Sequence, residues 1–192
     1  MNRARCQLAA AVTALLLVPL AGCSPEETTS GNTGYVSGKG IITTLDPADR
    51  VKPEPVSGVT IDGDPISLTD FTGKTVVINV WGSWCSPCRS EADDLVAAEA
   101  ELSDDNVAFL GINSRDLNEA AARAFVRRYK IPYPSIYDQQ GETLLAFDNT
   151  LSPTSIPSTL VIDEQGRVAA SILGELTKAT LVGVVQEVQR AG

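Results

Sequence analysis

Apolar residues along this chain fall into short β-branched runs separated by stretches of helical spacing, and that alternation sets the expected elements. Val76-Val77-Ile78-Asn79-Val80 has one polar interruption and predicts a strand buried on both faces. Over Ser86–Leu102 the apolar positions Leu95, Ala98 and Leu102 recur at helical spacing, so a helix follows directly. Residues 107–112 predict the next buried strand, and Glu119–Tyr129 a second helix with Asn118 as its N-cap. A short strand over 135–137 and a short helix over 142–147 come next. Ser158–Ile162 and Val168–Leu173 flank the turn Glu164-Gln165-Gly166 and predict a hairpin. Thr177 caps a final helix that runs to about Gln189. Upstream, residues 59–61 and 66–68 bracket Asp62-Gly63-Asp64, another hairpin signal. Parallel strands need crossover helices and the closing hairpin does not. The expectation is an α/β domain over residues 51–192, with a mixed central sheet and helices on both faces.

The first residues carry a different pattern. Arg3 and Arg5 precede an apolar run over residues 8–20 that is too short to cross a bilayer as a permanent helix. Residues 1–22 therefore read as a secretory signal. It ends in Leu20-Ala21-Gly22-Cys23, which resembles the lipobox of bacterial lipoproteins. That resemblance implies acylation of Cys23 and an extracytoplasmic domain anchored to the membrane rather than spanning it. Residues 23–50 are rich in Ser, Thr, Gly, Pro and Glu and are expected to form a flexible tether, reaching on the order of 30 Å. Within it only the stretch near residues 40–45 offers an alternative, an ordered strand.

Composition narrows the chemistry. The chain has 192 residues, a formal net charge of −9 and no histidine. A negative surface argues against nucleic-acid binding. Without His there is no Ser-His-Asp or Cys-His pair and no imidazole metal ligand. Four cysteines remain to consider. Cys6 leaves with the signal and Cys23 takes the lipid, so Cys85 and Cys88 are the two candidate thiols.

Their placement carries the functional reading. They sit where a buried strand passes into a helix, and a helix N-terminus presents unpaired N–H groups and positive potential. A thiolate is stabilised there. Cys85 is expected to be the nucleophile and the more exposed sulfur, and Cys88, one turn deeper, the resolving thiol. Pro87 lacks an N–H, which is harmless in a first helical turn. Closing so short a loop stabilises a fold by only about 2 kcal/mol, so the pair is better suited to redox exchange than to stapling. A zinc site wants about four N or S ligands, and covalent haem attachment wants a His where Arg89 stands. No metal and no cofactor are expected.

Two motifs extend this reading. Asn79-Val80-Trp81-Gly82-Ser83-Trp84-Cys85-Ser86-Pro87-Cys88-Arg89-Ser90-Glu91 and Ile156-Pro157-Ser158-Thr159-Leu160-Val161-Ile162-Asp163 resemble the TlpA/ResA-like branch of the thioredoxin superfamily. The resemblance implies a thioredoxin-like fold with an N-terminal β-hairpin and a β-α insertion over 134–147. It implies that Cys85 and Cys88 are the redox pair and that Pro157 is a cis proline facing them, with the Ile156 backbone available to an extended substrate. Trp84, Pro87, Asn79 and Glu91 are expected to support the pair. Asn79 stands where general thioredoxins carry a buried Asp, and an amide relays no proton, so Glu91 is expected to tune Cys88 or carry its proton. The alternative for Glu91 is a surface residue of the first helical turns. Other X-Pro bonds, Ile131-Pro132 among them, are expected to be trans.

The expected function is thiol–disulfide exchange with protein thiols in the cell envelope, acting as a reductant. The branch implies apocytochrome c as substrate, in cytochrome c maturation, and a membrane electron donor of the DsbD/CcdA type. A monomer is expected. The alternatives are a peroxiredoxin-type enzyme, disfavoured by the Trp-Cys-x-x-Cys setting, and a non-enzymatic binding module, disfavoured by two intact cysteines.

Overall fold

The protein is seen in a computed structural model that describes residues 31–35, 41–147, 150–151 and 154–192. The signal and Cys23 lie outside the described residues.

Seven strands form one sheet: β1 (Gly31–Tyr35), β2 (Ile41–Leu45), β5 (Thr75–Trp81), β6 (Val107–Ser114), β7 (Ser135–Asp138), β8 (Ser158–Ile162) and β9 (Val168–Leu173). Their spatial order is β1-β2-β9-β8-β5-β6-β7. β3 (Ser57–Val59) and β4 (Pro65–Ser67) make a separate hairpin. β5, β6 and β7 are mutually parallel, and the remaining pairs are antiparallel. β5 is buried at every position, as its run of β-branched residues requires.

Helices α1 (Ser86–Leu102), α2 (Glu119–Tyr129) and α3 (Lys178–Ala191) connect or follow these strands. α2 starts at Asn118, whose side chain accepts the Ala121 N–H, and α3 starts at Thr177, which accepts from Thr180. Leu95, Ala98 and Leu102 of α1 and Leu181 and Val185 of α3 pack on Val77, Phe109 and Val161. Each such fully buried aliphatic side chain contributes about 1.5–3 kcal/mol. Ala122 and Phe125 of α2 pack with Trp81 on that same side of the sheet.

Helices were expected on both faces, and the structure puts all three on one. For α1 and α2 the reason is topological. The chain steps from β5 to β6 to β7 in one direction along the sheet, and two right-handed crossovers made in one direction place both helices on one side. The other face, Val76, Ile78, Val80, Leu110 and Leu160, is covered by Val56, Leu68, Phe71, Leu144 and Phe147. These come from the loop before β3 and from 3-10 turns at Leu68–Phe71 and Thr143–Phe147. The helix expected over 142–147 is thus a 3-10 turn.

Two further expectations change. Residues 23–50 were read as tether, yet β2 pairs with the edge of β9 and buries Ile42. Arg50 is also buried, where its guanidinium meets Asp163 at 3.4 Å and donates to the Leu45 carbonyl. The open edge of β9 recruits this Ile- and Thr-bearing segment despite its polar surroundings. The hairpin before β5 forms earlier than its apolar residues suggested, its first strand by two positions and its second by one, because Thr60 instead bridges to Ile136 and Leu68 opens a 3-10 turn. Gly58 makes that docking possible, since a Cβ there would meet Ile136 Cγ2 at 2.5 Å.

Candidate active site

The site stands at the carboxyl ends of β5 and β6. β5 ends at Trp81, and Gly82-Ser83-Trp84 turns the chain into Cys85, the N-cap of α1. Its sulfur accepts the Cys88 N–H at 3.1 Å. Cys85 and Cys88 are disulfide-bonded, with Cα atoms 5.3 Å apart. A capping position normally filled by an oxygen is thus filled by sulfur, which places the sulfur against the free amides of the first turn. Pro87 lies in that turn, where no N–H is missed.

Cys85 was expected to be the exposed member of the pair. Instead both are buried, at 3 % and 1 % exposure. The neighbouring Trp84 is the exposed group, at 52 %. Its indole folds back over Gly82, where a Cβ would meet Nε1 at 2.5 Å, and donates to the Ser114 carbonyl at 3.4 Å.

Beneath the disulfide, Trp81 stacks on Phe125 at 4.4 Å between ring centroids. Its Nε1 crosses Gly111 to donate to the Ser135 hydroxyl at 3.3 Å, and any side chain at Gly111 would collide with that hydroxyl. A cavity of about 10 Å³ behind Cys88, bordered by Asn79, Trp81, Phe125 and Tyr133, leaves room for nothing larger than a water. Burial there pushes the Tyr133 hydroxyl far up, helped by the negative charges of Glu91 and Glu99.

Glu91 is not a surface residue. It is 1 % exposed. Its Oε1 accepts Asn79 Nδ2–H at 3.0 Å and its Oε2 accepts the Leu176 N–H at 3.2 Å. Asn79 uses its second amide hydrogen on Thr159 Oγ1 at 3.2 Å. Two donors on one nitrogen are what an amide has and a carboxylate lacks. Burial pushes the Glu91 carboxyl up to about 8, against the downward pull of its bonds from Asn79 and Leu176, with Glu175 and Asp94 adding to the rise. Glu91 lies one helical turn beyond Cys88.

The Ile156–Pro157 bond is cis, and among the described residues no other cis bond occurs, Ile131–Pro132 included. Pro157 is buried, and Ile156 is partly buried against the cluster containing Cys85 and Cys88. β8 begins at the next residue, so the bend sits at the sheet end where the sulfurs lie.

Reasoning from sequence missed one residue at this site. Asp116, in the loop after β6, is buried and accepts from both the amide and the hydroxyl of Ser83. The available signal was the polar cluster Asn113-Ser114-Arg115-Asp116 following a buried strand.

Comparison with known proteins bears on the family and the fold. The Redoxin family model matches residues 46–186. The thiol-disulfide oxidoreductase ResA of Bacillus thuringiensis subsp. konkukian is 30% identical over 152 residues, which are 79% of this chain and 85% of ResA. The crystal structure of a DsbF homologue from Corynebacterium diphtheriae superposes with a TM-score of 0.73 at 35% identity, covering 81% of this chain and 98% of that one. A secreted thiol-disulfide isomerase from Corynebacterium glutamicum gives a TM-score of 0.73 at 34% identity, covering 82% and 98%.

Proposed function

We infer, since this chain belongs to the Redoxin family and is a thiol–disulfide oxidoreductase with a thioredoxin-like fold, that it reduces protein disulfides in the cell envelope from a lipid anchor at Cys23. The observation that carries the reading is the Cys85–Cys88 disulfide at the opening turn of α1, with a buried Glu91 one turn further on.

In the reducing direction, the Cys85 thiolate attacks one sulfur of a partner disulfide. A mixed disulfide forms and the first partner thiolate leaves. Glu91, as carboxylate, takes the proton of the Cys88 thiol. The Cys88 thiolate then attacks the Cys85 sulfur, the Cys85–Cys88 bond closes, and the second partner thiolate leaves. Two electrons pass to the partner, and the protein ends oxidised. A titration point near 8 suits Glu91 to this transfer, because about a tenth of the group is carboxylate at pH 7 and the share rises with pH. Ile156 and the half-exposed Trp84 border the place where a partner chain would lie, the Ile156 backbone offering a hydrogen-bonding edge to an extended segment. The Ser86-Pro87 dipeptide and Ile156 tune the potential.

The proposed substrate is apocytochrome c, reduced before haem ligation. The proposed electron source is a membrane protein of the DsbD/CcdA type, and the working unit is a monomer. The description of a similar Corynebacterium glutamicum protein as secreted supports the extracytoplasmic setting. The test is capture in intact cells. A Cys88→Ala chain should accumulate mixed disulfides through Cys85, with apocytochrome c among the captured partners. Capture of no polypeptide would overturn the reading, and capture of other substrates alone would overturn the assignment to cytochrome c maturation.

A further inference from the structure

The loop that leads into Cys85 is gripped by a carboxylate that the redox steps above do not use. Asp116 is 2 % exposed. One of its oxygens accepts the Ser83 hydroxyl. The other accepts the Ser83 amide N–H at 3.0 Å and Asn113 Nδ2–H at 2.6 Å. All three partners are donors, the complement that an acceptor-only carboxylate calls for. Its backbone is fixed as well, because the Asp116 carbonyl accepts the Tyr137 hydroxyl of β7 at 3.2 Å.

Two more bonds converge on the same loop. Trp84 Nε1 donates to the Ser114 carbonyl at 3.4 Å, and the Arg89 guanidinium donates to the Ser83 carbonyl at 2.7 Å. Ser83 and Trp84 are therefore tied to the end of β6 and the loop after it on one side and to α1 on the other. Cys85 comes next, with its sulfur turned back on its own helix.

Burying a carboxylate is costly unless its lone pairs are used, and a neutral side chain would suffice merely to close a loop. Charge-assisted bonds are shorter and roughly twice as strong as neutral ones, so three of them hold the loop firmly. Stiffness here has a specific consequence. Cys85 is almost wholly buried, so its sulfur admits approach from a narrow range of directions. A small disulfide has to meet only that sulfur. A polypeptide has to meet the sulfur while lying across Trp84 and Ile156, and a misplacement of about 1 Å in such an arrangement can cost on the order of a hundredfold in rate.

We propose that Asp116 is a positioning residue of the redox centre: by gripping Ser83 it holds the Trp84 ring and the Cys85 sulfur in register, and so favours polypeptide disulfides over small ones. The inference rests on thiol–disulfide exchange at Cys85.

The test compares two rates in the full chain held in detergent, with reduced protein reacting with insulin disulfides and with oxidised glutathione. Asp116→Ala should slow the insulin reaction at least tenfold and the glutathione reaction less than threefold. Ser83→Ala, which leaves the buried carboxylate two of its donors' groups, should shift the ratio the same way by less. Adding Ser83→Ala to Asp116→Ala should change it no further, as expected of residues acting through one contact. Equal slowing of both reactions would mark general loosening and overturn the proposal, as would no slowing of either. If Asp116→Ala fails to fold, Asp116→Asn and Ser83→Ala decide by the same ratio. A parent chain that reacts with neither disulfide would overturn the exchange chemistry itself, which is a separate result from an unchanged ratio.

Discussion

Cys85 and Cys88 differ less in exposure than in what surrounds them. Cys85 caps α1 and its sulfur already accepts an amide N–H, so the thiolate formed on reduction meets donors that need no rearrangement. Cys88 faces the apolar cluster of Trp81, Ala92 and Phe125 and must find its base elsewhere. Glu91 is that base in this account, and its burial gives a sign that can be checked. Its folded-state value, about 8, lies above the 4.5 of an ordinary Glu. The protonated side chain therefore stabilises the fold. That contribution is complete below about pH 4.5 and is lost as the pH rises through 8, a loss on the order of a few kcal/mol. Glu91→Gln should flatten this dependence, read as denaturant midpoints of oxidised protein from pH 5 to 9, and should slow release from the mixed disulfide roughly tenfold or more. An unchanged midpoint profile and an unchanged release rate would remove Glu91 from the mechanism. The sequence makes Glu91 visible because it lies a helical turn from Cys88. Asp116 is less visible: Asn113 lies three residues before it, but Ser83 comes from the β5–α1 loop, and only the fold brings it to the same carboxylate.

The elements nearest the site were legible because local signals and tertiary demands agree. The β-branched run of β5, the Cys85 and Asn118 caps, and the Thr177 cap each act within a few residues. Where partners are remote, the pattern says less. Nothing within residues 41–45 announces that β9 offers an open edge, and nothing in α2 alone says which face it covers. Arg50 shows how firmly the added strand is held. It pairs with Asp163, which also takes the Arg167 guanidinium and the backbone N–H groups of Gln165 and Arg167. Arg50→Ala leaves Asp163 partly satisfied but removes a buried cation, and should cost roughly 3 kcal/mol in denaturant unfolding. The disulfide lies at the other end of the sheet, so the exchange rate should stay within about twofold of the parent for sites this far apart. A large fall in that rate would mean that the N-terminal strand supports the site directly.

At the scale of the whole molecule, the first described residue and the end of α3 lie away from the redox centre. Ile41 pairs with Leu173, which lies opposite Ser158 beside the cis bend, so Leu45 and its partner Gly31 lie toward the opposite pole. α3 also ends there, where Gln189 donates to the Asp105 carbonyl at the end of α1. Cys23→Ser should release the protein from the membrane fraction without changing its exchange rate in detergent. Retention of the variant in membranes would contradict the anchor.

The central claim is that the Cys85–Cys88 couple works as a reductant of protein disulfides, and its reduction potential against a defined thiol buffer tests that most directly. The account predicts reversible cycling with a potential near −270 mV or below. A potential near −120 mV, which would make the couple an oxidant, or a disulfide that no thiol buffer reduces, would contradict it.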